Sequence, residues 1–117
     1  MGLTYIVADL FAGAEELKTI HFLVDSGASY SLLPECVWKK LGLSPRRTMG
    51  VVLADGTRLE RGVSDCGIRL NGIEGCTPVV LGQQGDDEPL LGAVTLENLG
   101  FVLDPFQRTL RPMQVRL

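Results

Sequence analysis

One acidic residue, Asp25, stands in a pattern that could support acid–base chemistry. An apolar segment, Phe22-Leu23-Val24, leads into this carboxylate, and the small residues Ser26 and Gly27 follow it. A charged Asp at the end of a buried strand is costly to desolvate. A serine hydroxyl can offset part of that cost, and glycine allows close backbone approach. The tripeptide Asp-Ser-Gly is also common in ordinary turns. The segments around it are therefore needed to distinguish a catalytic loop from a structural turn.

The elements that would position Asp25 are short strands and turns. The 14 Gly and six Pro along the chain indicate many turns. Apolar alternation predicts strands over residues 4–10 and 19–24. Pro34 is suited to the first position of a helix that runs to Leu41, with Gly42 ending it. A second short helix is predicted over 93–99, closed by Gly100.

Two dipeptides predict β-hairpins. Asp55-Gly56 and Asn71-Gly72 each lie between strand-like segments and are typical of two-residue turns. The second turn would set Arg69 opposite Glu74, a favourable cross-strand charge pair. The sequence therefore predicts an all-β fold, a small closed or folded barrel with one or two short helices, formed by a single domain over residues 1–117.

Composition argues against several classes of function. The net charge of −3 disfavours a nucleic-acid partner, which requires a basic surface. No apolar run approaches the roughly 20 residues of a membrane span. Cys36, Cys66 and Cys76 lack metal-ligand spacing. They are predicted to be reduced thiols of a cytoplasmic protein, with a Cys66–Cys76 disulfide as the less favoured alternative. We expect no metal and no cofactor. The single histidine, His21, has no evident nucleophile beside it and is predicted to be a polar strand residue.

Three segments in order resemble the retroviral-type, or retropepsin-like, aspartic proteases. Residues 22–31 resemble the active-site loop, whose signature is two apolar residues followed by Asp, Thr or Ser, Gly and Ala. Leu90-Leu91-Gly92 and the helix after it resemble the element that packs beneath that loop. The Asp55-Gly56 hairpin lies where such proteases carry the flap that closes over substrate. The resemblance spans about residues 19–104, most of the chain.

This resemblance implies a homodimer. Aspartic protease chemistry needs two carboxylates close enough to share a proton, since like charges at that distance cannot both ionise. The chain has one Asp-Ser-Gly, and Asp65-Cys66-Gly67 lacks the apolar lead-in, so we interpret it as structural. The second carboxylate must then come from a second copy across a two-fold axis. The implied function is an aspartic endopeptidase that hydrolyses an extended polypeptide by a water activated between two Asp25 carboxylates.

The resemblance also implies roles for neighbouring residues. Ser26 would join the two active-site loops across the axis, and the segment 113–117 would pair with its symmetry mate. The hairpin tip would bind the substrate backbone and exclude water. The predicted substrate-binding residues are Gly27, Ala28, Ser29, Ala54, Asp55 and Gly56.

Three positions depart from the usual pattern of the family. Ser29 stands where many retroviral enzymes have Asp, the flap carries Asp55 instead of a run of glycines, and Ser26 replaces the commoner Thr. Two alternatives stay open. A dimeric module of the same fold could hold an extended peptide by strand addition without cleaving it. A structural β-domain would be a monomer in which Asp25 is exposed and dispensable.

Overall fold

The computed structural model describes residues 3–25 and 27–117. Most of these described residues are extended, and two short helices lie among them. The strands are β1 (Tyr5–Ala12), β2 (Glu15–Val24), β3 (Ser31–Leu33), β4 (Arg47–Val52), β5 (Arg58–Leu70), β6 (Ile73–Leu81), β7 (Leu90–Leu91), β8 (Phe101–Asp104) and β9 (Thr109–Pro112). The helices are α1 (Glu35–Lys40) and α2 (Ala93–Leu99). The predicted all-β fold is confirmed.

Six strands close into a barrel. Their order is β1-β2-β7-β3-β6-β5, and β1 pairs again with β5 where Asp9 lies opposite Arg69 and Phe11 opposite Gly67. Strand β4 continues this sheet beyond β5 as one arm of a hairpin. Strands β8 and β9 form a separate two-stranded sheet. The short β7 pairs in parallel with β2 and antiparallel with β3, so it joins segments that are distant in sequence.

The core lies inside this barrel. Alternate residues of the strands point inward, and burial of their apolar side chains is the main favourable term in folding. The largest of these buried side chains are Phe22, Leu10, Leu33, Ile68, Leu70 and Leu91. Helix α2 covers one side of the core with Leu96 and Leu99. No helix in the described ranges is both long and apolar enough to cross a membrane.

The hairpin at Asn71-Gly72 agrees with its prediction. Leu70 pairs with Ile73, so the turn has two residues. Asn71 and Gly72 have φ of 50° and 79°, as the favoured hairpin turn with two positive φ angles requires. Arg69 Nη2 lies 2.8 Å from Glu74 Oε1, which confirms the predicted charge pair.

The hairpin at Asp55-Gly56 differs from its prediction. The Leu53 N–H donates to the Thr57 carbonyl (2.8 Å), and the Gly56 N–H donates to the Leu53 carbonyl (2.9 Å). The loop therefore contains three residues, and Gly56 (φ 87°) takes the left-handed position. Asp55 keeps a negative φ and uses its carboxylate to accept the Thr57 N–H at 2.9 Å. The prediction of a two-residue turn was wrong because Asp55 stabilises the loop with its side chain instead.

Other boundaries move by a few residues. Pro34 is the N-cap of α1 with an extended ψ of 156°, so the helix begins one residue later than predicted. Helix α2 has its predicted bounds, and Gly100 closes it with φ 79°. Strands β1 and β2 extend further toward each other, which leaves only two residues between them. His21 is an exposed residue of β2. Residues 113–117 carry no regular secondary structure.

The cysteines are free, so the disulfide alternative is not realised. Cys66 is buried, whereas Cys36 and Cys76 are exposed. In the β5–β6 pairing Cys66 lies opposite Thr77, and Cys76 lies opposite Gly67. Neighbouring positions along a strand point to opposite faces, which keeps the two thiols on different sides of the sheet. Burial raises the pKa of the Cys66 thiol to about 12, with smaller contributions from Cys76 and Asp65.

Candidate active site

Asp25 lies where β2 leaves the barrel. Strand β2 pairs in parallel with β7 through Leu23 opposite Leu90 and Val24 opposite Leu91. The Asp25 N–H donates to the Leu91 carbonyl at 2.9 Å, which extends this pairing by one residue. The backbone of Asp25 is therefore fixed by a core strand. Its side chain is exposed in the single chain.

The turn after Asp25 orients the carboxylate. The Gly27 N–H donates to Asp25 Oδ1 at 3.1 Å, and the Ala28 N–H donates to the Asp25 carbonyl at 3.0 Å. A β-carbon added to Gly27 would lie 3.3 Å from Asp25 Oδ1, so the close approach favours glycine. Ser26 lies outside the described residues, and its role in joining two loops stays a prediction.

The start of helix α2 holds the loop from beneath. The Leu91 carbonyl accepts the Asp25 N–H, as described above. The next three residues donate their backbone N–H groups to the loop: Gly92 to Ser31 Oγ (2.9 Å), Ala93 to the Ala28 carbonyl (2.8 Å) and Val94 to the Ser29 carbonyl (2.9 Å). These bonds satisfy amides that would otherwise lack partners at a helix start. Residues 90–99 therefore pack beneath the loop as predicted.

A cleft of about 750 Å³ separates the Asp25 loop from the β4–β5 hairpin. It is mostly apolar, and Asp25 is the one acidic or basic residue among its described lining residues. The lining residues are Asp25, Gly27, Ala28, Ser29, Tyr30, Leu32, Met49, Gly50, Val51, Val52, Leu53, Ala54, Val80 and Leu90. An extended peptide could lie in such a cleft with its apolar side chains against the walls.

The structure brings together most of the residues singled out from the sequence. Asp25, Gly27, Ala28, Ser29 and Ala54 line the cleft. Asp55 and Gly56, at the outer end of the hairpin loop, are not among the lining residues of the single chain. Hydrogen bonds from Thr57, first from its hydroxyl and then from its N–H, lower the pKa of Asp55.

Several lining residues were missed by sequence reasoning. Met49 belongs to β4, which begins at Arg47, before the apolar run 51–54 that flanks the Asp55-Gly56 dipeptide in the sequence. Half-buried Met49 and Val51 alternate with exposed neighbours, and this alternation was the available signal. Val80 and Leu90 reach the cleft through non-local pairing of β6 and β7 with β3, for which the sequence offers no local signal.

The chemistry open to one chain is limited. A single carboxylate can accept a proton, but sharing a proton requires a second acid within hydrogen-bond reach. Within residues 3–25 and 27–117, no cluster of three or more His, Cys, Asp or Glu side chains is arranged to hold a metal ion. The geometry that the chain itself provides is an exposed carboxylate at the edge of an apolar cleft.

Comparison with known proteins places the chain in a family. No curated protein matches it. The model of one protein family, described as gag-polyprotein putative aspartyl protease, matches residues 15–98. This match runs from the start of β2 into α2 and includes the Asp25 loop, the cleft and the β4–β5 hairpin. Because the match covers well over half of the chain, the protein belongs to this aspartyl protease family.

Proposed function

We propose that the chain, as one domain over residues 1–117, is one subunit of a homodimeric aspartic endopeptidase. The observation that carries this proposal is Asp25 itself. Its backbone is fixed by Leu91, its carboxylate is oriented by Gly27, and its side chain remains exposed beside an apolar cleft. An exposed carboxylate held this firmly is suited to meet a second copy of itself across a two-fold axis.

The proposed reaction forms no covalent bond between the enzyme and the substrate. In the dimer, the two Asp25 carboxylates share one proton because both cannot ionise at close range. The unprotonated carboxylate removes a proton from a bound water, and the protonated one donates a hydrogen bond to the scissile carbonyl. The water oxygen then attacks the carbonyl carbon. Collapse of the tetrahedral intermediate breaks the C–N bond as a proton passes to the departing nitrogen.

The cleft supports an extended polypeptide as substrate. The walls formed by Leu32, Val51, Val80 and Leu90 are apolar, so they would accept apolar side chains near the cut bond. The β4–β5 hairpin would act as the flap. Ala54, Asp55 and Gly56 at its tip would bind the substrate backbone and exclude water once a substrate is present.

The β8–β9 sheet offers a surface for the second copy. A two-stranded sheet is marginal alone, so a partner that extends it would add stability. Phe106, in the turn between its strands, is 86% exposed, and Val102 is exposed on β8. The segment 113–117 continues from β9 and includes the exposed Val115, so it stays our candidate for pairing across the axis. The free thiols are in keeping with a reducing compartment such as the cytoplasm.

The test compares Asp25→Asn with wild type on a denatured protein mixture between about pH 4 and 7. Cleavage is followed by mass spectrometry and assembly by sedimentation. Asp65→Asn is a matched control, because Asp65, like Asp25, stands two residues before a glycine. Asp65 differs in its position, since it lies within β5 and 3.8 Å from Arg46. We expect dimers in all three proteins and cleavage lost in Asp25→Asn only.

Three outcomes would contradict the proposal. A wild-type dimer that binds peptides without cleaving them at any pH would favour the peptide-binding module of the same fold. A monomeric wild type whose properties do not change in Asp25→Asn would favour the structural β-domain. Equal loss of cleavage in Asp25→Asn and Asp65→Asn would show that the effect of Asp25 is not specific.

A further inference from the structure

Three buried hydroxyls lie behind the Asp25 loop. Ser31 on β3, Thr77 on β6 and Thr95 on α2 are each at most 2% exposed. Thr95 Oγ1 lies 2.5 Å from Ser31 Oγ and 2.7 Å from Thr77 Oγ1. None of the three belongs to the described lining of the cleft. Together they link three separate elements of the barrel, and we call them the hydroxyl relay.

The two ends of the relay fix the direction of every hydrogen bond in it. At one end, the Gly92 N–H donates to Ser31 Oγ at 2.9 Å. At the other end, the Thr77 hydroxyl donates to the Pro78 carbonyl at 3.3 Å. A hydroxyl has one proton to donate. Since Thr77 gives its proton to Pro78, Thr95 must donate to Thr77, and Ser31 must donate to Thr95.

This order makes Thr95 the central member. It accepts from Ser31 and donates to Thr77, so its hydroxyl satisfies both neighbours at once. No side-chain polar atom that is fully buried in the described ranges lacks a partner. Removing the Thr95 hydroxyl would leave the Ser31 proton without an acceptor. Ser31 could then rotate to find another, and it would release the Gly92 N–H.

Gly92 connects the relay to the candidate catalytic loop. Its neighbours Leu91, Ala93 and Val94 hold Asp25, Ala28 and Ser29 by backbone hydrogen bonds. We propose that Thr95 is a positioning residue, which sets the geometry of the Asp25 loop through Ser31 and Gly92 without touching substrate. This inference rests on the proposed function for its effect on cleavage, but not for its effect on the loop.

Thr95→Val and Thr95→Ser form a matched pair for the test. Valine keeps the shape of threonine and removes the hydroxyl, whereas serine keeps the hydroxyl and removes the methyl. We expect Thr95→Val to lower kcat for cleavage about tenfold or more, with KM nearly unchanged, because the cleft lining is intact. Thr95→Ser should restore most of kcat. Equal losses in both variants would indicate simple packing and would overturn the proposal.

A second measurement does not depend on cleavage. Native-state hydrogen exchange followed by NMR reports the opening of individual amides. In Thr95→Val the amides of Gly92, Ala93 and Val94 should exchange about tenfold faster, relative to a core amide such as Ile68. Thr77→Val, which breaks the far end of the relay, should have a smaller effect on these amides. Uniform acceleration of all amides would contradict a positioning role.

The wild-type protein supplies a third check if Thr95→Val does not fold. The three hydroxyl protons are buried and hydrogen-bonded, so NMR should detect them as slowly exchanging signals, with the Ser31 proton directed at Thr95. Fast exchange of these protons with solvent would overturn the relay. A wild type that cleaves nothing would instead reject the proposed function while leaving the exchange results valid.

Discussion

Gly92, the N-cap of helix α2, lies against the backbone of the segment that follows Asp25. A β-carbon built there would lie 2.6 Å from the backbone carbon and oxygen of Tyr30 and 3.0 Å from the Ala28 carbonyl. Its φ of −99° is open to any residue, so the requirement for glycine comes from space and not from backbone conformation. Backbone atoms cannot yield as the end of a flexible side chain can.

We therefore expect Gly92→Ala to destabilise the fold by about 1–3 kcal/mol, as overpacking does. It should also impair cleavage, because α2 and the Asp25 loop would be forced apart. The measurement is urea unfolding alongside the cleavage assay. Gly50→Ala is the control for stability, since a β-carbon at Gly50 meets nothing within 4 Å. Its free energy of unfolding should be equal to or above that of wild type, and a similar loss in both variants would refute the steric argument.

For single residues, the sequence indicated which ones belong to the candidate site but not which side chains contact one another. The order of apolar residues, Asp, Ser and Gly pointed to Asp25, and Gly92 was noticed as part of a glycine-containing motif. The sequence did not predict the contacts among the hydroxyls of Ser31, Thr77 and Thr95. Thr95 is 64 residues from Ser31 and 18 residues from Thr77 along the chain. Small polar residues are usually exposed, and only the fold shows that these three are buried together.

The β4–β5 hairpin shows what local sequence can predict about an element. Both hairpins contain a residue suited to turns followed by glycine, and both were placed correctly along the chain. At Asn71-Gly72 both residues adopt positive φ, whereas Asp55 does not. The difference depends on the Asp55 carboxylate, which accepts the Thr57 N–H at 2.9 Å and stabilises a loop one residue longer. Turn type thus depended on one side-chain hydrogen bond that dipeptide preference does not describe.

This bond predicts a pH dependence of the hairpin tip. The folded-state pKa of Asp55 is lowered from its ordinary value of 3.8, chiefly by hydrogen bonds from Thr57. The ionised carboxylate therefore favours the folded loop above pH 3.8, and this contribution is lost as the pH falls through the lowered folded-state pKa. We expect the amide chemical shift of Thr57 to titrate with a midpoint below 3.8 in NMR spectra.

Asp55→Asn provides the control for this titration. An asparagine carbonyl can still accept the Thr57 N–H, but it has no acidic proton to titrate. The Thr57 amide should then show no midpoint in the same range, while the hairpin stays formed. A Thr57 midpoint at or above 3.8 in wild type, or an unchanged titration in Asp55→Asn, would show that this carboxylate does not control the tip.

Barrel closure involves the whole molecule, and the sequence predicted a barrel but not its strand order. Strand content and turn spacing predicted a small barrel, but the parallel pairings of β7 with β2 and β6 with β3 join distant segments. Such pairings depend on how the side chains of different strands pack together in the folded protein, and the residue pattern of a single strand does not predict them. The same pairings bring Leu90 and Val80 to the cleft beside Asp25. The cleft walls are thus a product of the fold as a whole.

The proposed dimer is also a property of the whole molecule, and mixing wild-type chains with Asp25→Asn chains tests it. Each active site would need one Asp25 from each subunit, so a dimer containing one Asp25→Asn chain should be inactive. Wild type at fixed concentration is equilibrated with an equal amount of Asp25→Asn, and cleavage is measured. If the subunits exchange freely, about half of the wild-type chains pair with mutant chains, and the rate should fall to about half.

Asp65→Asn chains added in the same amount are the control, because their Asp25 is intact and mixed dimers should remain active. Chain exchange is verified by native mass spectrometry of mixed dimers made from isotope-labelled wild type. A rate that is unchanged or higher with Asp25→Asn, despite mixed dimers in the spectrum, would mean that one Asp25 suffices for cleavage. A shared pair of carboxylates would then be excluded, whereas the halved rate would require both subunits to contribute to each site.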